Sequence, residues 1–243
     1  MNLNVYIARC GHCSRRKADA CIKEGRVAVN GVTMVAPWTR VRPDDQVVLD
    51  GKPVSAENYV YIIFNKPAGV TSTVEDVFAK KKIVDLIPKS LGRVYPVGRL
   101  DLLSRGLIIL TNDGDLCYRL THPRFGIEKE YHVTMRGKAD EKLLSRLKRG
   151  VKDDGDHLKV RSARIVSATE KRSTLTVVVC EGKKRHLRRL FTALDATVID
   201  LMRLRIGGLQ LSSLKEGTFK LIDKDVLYKK TLQKSSPGCD NSA

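Results

Sequence analysis

Aromatic side chains are scarce: five phenylalanines, seven tyrosines and one tryptophan make up 5% of 243 residues. So few flat apolar rings leave little platform for stacking sugars, which argues against a carbohydrate enzyme. Cysteine is sparse too, with six scattered residues. A chain of this length does not need disulfide staples, so the expected compartment is a reducing cytoplasm. No apolar run approaches a bilayer span, and the start, MNLNVYIARC, lacks a charged segment followed by an apolar core, so neither membrane insertion nor export is expected. Neither a phosphate-binding P-loop nor a dinucleotide-binding glycine pattern occurs. Acidic residues are in deficit, 27 against 45 lysines and arginines, for a net charge of +18. That surplus suggests a polyanionic partner. Nucleic acid is preferred over a membrane surface because no long basic amphipathic helix stands out.

The length allows one large or two modest domains. Leu3 to Cys10 has a short helical pattern closed by Gly11, and Ser14 caps a second helix through Glu24, with Gly25 closing it. Arg15, Arg16 and Lys17 fill the first turn of that helix, where cations oppose the helix dipole at about 0.3–1 kcal/mol each. A phosphate docking there accounts for them. Asn30-Gly31 and Asp50-Gly51 then mark hairpin turns between short strands. Cys10-Gly11-His12-Cys13 has zinc-knuckle spacing but no second ligand pair, so no metal is expected. Ser55 to Asn58 is a polar stretch that reads as a linker, giving domains at 1–57 and 59–232. From Lys229 onward the chain is polar, and 233–243, with Ser-Ser-Pro-Gly, is expected to be a disordered tail.

In the second part, Tyr59 to Phe64 reads as a strand, Gly114 to Leu120 as a helix, and Lys129 onward as a strand. Asp140 caps a helix ended by Gly150, and Arg161–Ala168 and Thr174–Cys180 read as strands. Glu181 to Asp195 reads as a basic helix whose Leu187, Leu190, Phe191 and Leu194 form a core stripe. Between these lies VGRLDLLSRGLIILTNDGD, Val97 to Asp115. Leu107 to Leu110 is a buried strand between turn residues, so Asp101 sits in a loop leading into it, with Arg99 two residues before. A carboxylate in that place can be a nucleophile, an acid or base, or only an acceptor in a turn.

GRLD followed by SxGLIILTNDGD resembles the catalytic motif of the RsuA-like family of bacterial ribosomal-RNA pseudouridine synthases. NKPAGVTST (Asn65–Thr73), KEYHV (Lys129–Val133) and EGKKRHLRRLF (Glu181–Phe191) resemble its other motifs in the same order. GxxSRRKADxxIKEGRVxVNG resembles the small RNA-binding module of ribosomal protein S-four that the family carries at its N-terminus. The resemblance implies an α+β protein: that module, then a catalytic domain with a mixed, mostly antiparallel sheet flanked by helices. It implies isomerisation of uridine to pseudouridine in ribosomal RNA or a ribosomal assembly intermediate, by a monomer without cofactor. Asp101 would be the nucleophile, Tyr131 would stack on the flipped base, Leu201 would lie beneath it and Arg188 would pair with Asp101. Lys66, Arg99, Lys183, Lys184, Arg185, Arg189 and Arg203 are further candidates for RNA contact. The motif departs from the family at His186, where glutamine is usual. Two rival readings stay open: an RNA-binding protein without catalysis, and a glycoside hydrolase pairing Asp101 with Asp113 or Asp115.

Overall fold

The computed structural model describes residues 1–232, so the tail expected at 233–243 lies outside the described residues. Two compact units divide the chain, one of Met1–Val60 with Lys89–Arg93, the other formed by the remainder. The Lys89–Arg93 segment, read above with the second domain, thus belongs to the first unit. Among the described residues no helix is long and apolar enough to cross a membrane.

The first unit holds helices α1 (Leu3–Arg9) and α2 (Arg15–Lys23) against strands β1 (Val27–Val29), β2 (Val32–Met34), β3 (Val47–Leu49) and β4 (Lys52–Pro53). Leu3, Ile7, Ala18 and Ile22 face Val27, Val29, Val41 and Val47 in its core. Ser14 caps α2, its Oγ accepting the Lys17 amide at 3.3 Å. Asn30 and Gly31 both take positive φ, 51° and 80°, as a two-residue hairpin turn demands. Cys10, of the knuckle-like spacing, is a core residue whose thiol donates to the Tyr6 carbonyl. Burial pushes that thiol up to about 11, away from the thiolate a metal needs.

The second unit contains β5 (Tyr61–Lys66), β6 (Tyr95–Pro96), β7 (Arg105–Thr111), α3 (Gly114–Thr121), β8 (Lys129–Arg136) and α4 (Glu141–Arg149). It continues with β9 (Val151–Asp153), β10 (Asp156–Leu158), β11 (Ser162–Ala168), β12 (Arg172–Val179), α5 (His186–Thr192) and β13 (Val198–Ile206). Strands β14 (Leu209–Gln210) and β15 (Phe219–Leu221) and helix α6 (Lys224–Leu232) complete it. The main sheet runs β11-β12-β8-β13-β7-β5-β15, with β14 on β13 and β6 on β7. Among the described strands only β13 and β7 pair in parallel. That junction requires Gly106: its φ is +103° and any Cβ would collide with the Arg203 backbone.

Two cores cover one half of the sheet each. Val133, Leu175, Val177 and Leu201 meet Leu144 and Leu147 of α4 and Leu187, Leu190 and Phe191 of α5. Ile63, Leu107 and Ile109 meet Leu116 and Leu120 of α3 and Leu227 of α6. Each such side chain contributes roughly 1.5–3 kcal/mol by leaving water. Asp113 joins the second core: buried, it caps α3 through the amides of Asp115 and Leu116 and accepts the hydroxyls of Tyr61 and Tyr228, both at 2.8 Å.

Three elements differ from expectation. The helix expected from Glu181 starts only at His186, because Arg185 stands at its cap in the left-handed region, φ 53°. The polar run from Lys229 continues α6 to Leu232, with Leu227 and Thr231 buried. Hairpin β9–β10 has no counterpart among the expected elements, although its Asp154-Gly155 turn is a hairpin signal.

Candidate active site

The loop of Asp101 is fastened at several points by residues of the Asn65–Thr73 segment. Ser72 Oγ donates to the Leu100 carbonyl at 3.0 Å and accepts the Leu100 amide at 3.2 Å. The Gly69 amide donates to the Leu102 carbonyl at 2.8 Å, and the Ser104 amide closes a turn onto the Asp101 carbonyl at 2.9 Å. Lys66 completes the latch. Its ammonium donates to the carbonyls of Ser104 at 2.7 Å and Pro67 at 2.9 Å, and to those of Asp101 and Leu102 at 3.4 Å. Lys66 is 0% exposed, so it has no surface to offer RNA, and its role is corrected from phosphate contact to clamp. Burial pushes its pKa down to about 8, against the opposing pull of the Asp101 carboxylate.

So held, the half-buried Asp101 lines an open cleft together with Tyr131, Leu201, Arg99, Lys183 and Arg185. Tyr131 and Leu201 come from adjacent strands. Tyr131 opposes Arg203 and Val133 opposes Leu201 across the β8–β13 pair, which sets Tyr131 and Leu201 on one sheet face. An acid, an aromatic ring and an apolar floor therefore meet in one place. Neither Asp113 nor Asp115 lines this cleft, and Asp113 is locked as a helix cap, which removes the carboxylate pair of the glycosidase reading.

The cations sort by exposure and pairing. Arg99, Lys184 and Arg185 are exposed, and among the described residues none of them makes an ion pair. Arg15, Arg16 and Lys17 are exposed at the start of α2 in the other unit. Arg189, expected on RNA, is instead tied to the β9–β10 hairpin through the carboxylates of Asp153 and Asp156, which hold its charge in place. Lys183 is divided: it lines the cleft but pairs with Glu181 at 3.3 Å and Asp156 at 3.7 Å. Arg203 is also corrected. It is 4% exposed, with Nε on the Leu107 carbonyl at 2.7 Å, Nη1 3.5 Å from the Tyr131 hydroxyl and Nη2 buried without a partner.

Arg188 does not pair with Asp101. Its Nη2 donates to the carbonyl of Leu103 at 3.3 Å, in the Asp101 turn, and its Nε is buried without a partner. Its charge also lies close enough to Asp200 to help hold that carboxyl below its usual range, after the larger effect of Arg105. His186 is 7% exposed, with Nε2 on the Lys159 carbonyl at 3.0 Å. Burial lowers its pKa, so it is a neutral, core-anchored ring beside the cleft. Residues that sequence reasoning passed over are Ser72, Ser104, Asp153 and Asp156. Only the last two left a signal, the Asp-Asp-Gly-Asp turn. Among the described residues no group of three His, Cys, Asp or Glu is placed to hold a metal.

Comparison with known proteins bears on the same regions. Residues 60–193 match the family described as RNA pseudouridylate synthase, and residues 1–47 match the S4 domain. An uncharacterised RNA pseudouridine synthase of Aquifex aeolicus (strain VF5) is 38% identical, over 93% of this chain and 92% of its own. The ribosomal large subunit pseudouridine synthase B of Bacillus subtilis (strain 168) is 36% identical, over 88% of this chain and 89% of its own. A solved pseudouridylate synthase structure superposes with a TM-score of 0.64 at 25% identity, covering 95% of this chain and 99% of that one.

Proposed function

Because the chain belongs to the RNA pseudouridylate synthase family, we propose that it isomerises a defined uridine of ribosomal RNA, with Asp101 as nucleophile. The Bacillus relative's name makes large-subunit RNA the substrate to try first. The reaction cuts uracil from C1′, turns it and rejoins it through C5; the C5 proton leaves to solvent and N1, freed from the sugar, takes one up. Product and substrate are isomers, so no oxidant, reductant or co-substrate enters. A uridine in structured RNA must be taken out of its stack to be reached. One observation carries the reading: Asp101, Tyr131 and Leu201 line a single cleft. In it the flipped base lies between the Tyr131 ring and the Leu201 side chain, with its glycosidic bond toward Asp101. The exposed cations Arg99, Lys184 and Arg185 hold the flanking phosphates. Lys66, Ser72 and Arg188 act through the backbone of the Asp101 loop and are positioning residues. A fixed carboxylate loses little orientational freedom at the moment of reaction, which is where such latches lower the barrier.

The test uses ribosomal RNA labelled with tritium at uridine C5. Wild-type protein releases one tritium per modified site without ATP and in the presence of a chelator. Asp101→Asn keeps size and hydrogen bonding but removes the charge, so release stops while RNA binding survives. Robust release by Asp101→Asn overturns the assignment.

A further inference from the structure

The segment between the Ser72 latch and the first 3-10 turn of the second unit forms a closed loop with a conspicuous tip. Its neck is fixed by backbone bonds, the Thr71 amide to the Lys81 carbonyl at 3.0 Å and the Ile83 amide to the Thr71 carbonyl at 2.9 Å. Within the loop the Asp76 carboxylate accepts the Phe78 amide at 2.9 Å, and Thr73 Oγ1 donates to the Glu75 carbonyl at 3.0 Å. These bonds hold out Val77 and Phe78, 91% and 93% exposed, the two most exposed large apolar side chains among the described residues. A scattered exposed aliphatic residue is ordinary. An almost wholly exposed phenylalanine in a chain with only five is not. Lys80, Lys81 and Lys82 follow it closely, while the acidic Glu75 and Asp76 precede it. Lys80 and Lys81 reach solvent, and Lys82 sits 3.9 Å from Asp85.

We infer that Phe78 is a stacking finger for an unpaired base of the substrate RNA, with Lys80 and Lys81 on the adjoining phosphates. Three observations favour RNA over a protein partner. An aromatic ring beside solvent-facing cations is the combination that binds single-stranded nucleic acid, since every base has a face to stack and every linkage a charge. The protein as a whole carries +18, which draws a polyanion to any exposed surface. The base of the loop is bonded to the Asp101 loop through Ser72 and Gly69, so the loop springs from the same latch that holds Asp101. A base engaged there lies on the same strand segment as the flipped uridine or on its partner strand. This contact would help hold the strand open while the uridine is out. The inference rests on the isomerase reading for its choice of RNA, and the test separates the two.

Binding and tritium release are measured with the full chain on a protein-free transcript of large-subunit ribosomal RNA. Phe78→Ala, at an exposed position where folding is not at risk, is expected to weaken binding about 5- to 150-fold, the range for removing one base–aromatic stack. The slope of log affinity against log salt stays unchanged, because every phosphate keeps its cation. Phe78→Trp and Phe78→Tyr retain affinity, and Phe78→Leu does not. Full affinity in Phe78→Leu overturns the proposal, since an apolar plug and not a stack would be at work. So does a Phe78→Ala variant that matches wild type on this transcript, whether or not it fails on ribosomal particles, where failure alone would mark a protein partner. If wild-type protein binds the transcript but releases no tritium from any ribosomal RNA, the isomerase reading fails while the Phe78 comparison still decides the stack.

Discussion

The guanidinium of Arg203 and the hydroxyl of Tyr131 face each other at 3.5 Å across the β8–β13 pair. Arg203 is buried and, among the described residues, has no acidic partner; its bonded contacts are the Leu107 carbonyl and this phenol. A buried cation without a counter-charge is costly, so its neighbours are arranged around it. A guanidinium can only donate, so the phenol oxygen must accept from it and turn its own proton elsewhere.

Arg203 is therefore a positioning residue for Tyr131. Arg203→Met is expected to lower kcat about tenfold or more, the scale of one hydrogen bond to a charged group at 1.5–3 kcal/mol. RNA affinity should stay near wild type, because the side chain is out of solvent. Single-turnover tritium release with a parallel binding measurement separates these effects. A loss of affinity with kcat unchanged would return Arg203 to the RNA-binding surface.

Lys66 makes activity and stability move in opposite directions with pH. Its folded pKa is about 8, below an ordinary 10.5. Below about 8 the ammonium clamps the Asp101 loop; above it, one donor is lost and a lone pair faces carbonyl oxygens, so kcat should fall as pH rises through 8. Stability runs the other way. Between the two values the unfolded chain binds more protons than the folded one, so the unfolding free energy contributed by this group rises with pH, by about 3 kcal/mol in all. Lys66→Met should abolish that rise between about pH 8 and 10.5 in urea titrations, and should flatten the alkaline limb of the rate profile. An identical slope in variant and wild type would show that Lys66 titrates normally.

The elements that sequence reasoning reached are those with local causes. The run Leu107–Leu110 has a strand's pattern, Asn30-Gly31 supplies two positive φ values and Ser14 caps its own helix. Asp101 and Tyr131 could be named because each lies in a motif contiguous in sequence, and Leu201 because the resemblance implies an apolar residue at its position. What stayed hidden was set by distant partners. Nothing beside Lys66 tells that carbonyls of residues 101–104 will surround it, and a lysine at a strand end reads as surface. Arg189 looks like any basic helix residue until Asp153 and Asp156 arrive on a hairpin. Helix α6 buries only Leu227 and Thr231 fully, with Tyr228 and Leu232 partly buried beside them, too thin a stripe to overrule its polar neighbours.

Asp113 ties three elements together, and its removal should be felt as stability rather than chemistry. It accepts two tyrosine hydroxyls and two backbone amides, and burial together with its charge raises the pKa of the Tyr228 phenol. Asp113→Asn turns an acceptor-only group into one that also presents donors to those hydroxyls. A destabilisation of about 2–4 kcal/mol is expected from unsatisfied buried groups. Tyr228→Phe removes a single donor and should cost about 1.5 kcal/mol. Urea unfolding gives both numbers, and a larger loss in Tyr228→Phe than in Asp113→Asn would mean that α6 packing, not the carboxylate, is what matters.

Arg15, Arg16 and Lys17 are exposed in the first turn of α2, where their charges work against the helix dipole. A phosphate bound over that turn reverses the sign, since backbone amides and side-chain cations then act on the same anion. Replacing all three with glutamine should weaken binding to ribosomal RNA and reduce the slope of log affinity against log salt by roughly 0.7–0.9 for each phosphate no longer neutralised. The single-turnover rate at saturating protein should hold, because none of the three lines the Asp101 cleft. The same substitutions should raise helix stability in the absence of RNA, by about 1 kcal/mol or more, as three charges opposing the dipole at about 0.3–1 kcal/mol each are removed. Weaker binding with an unchanged salt slope would mean that these residues hold the unit's shape and do not touch phosphate.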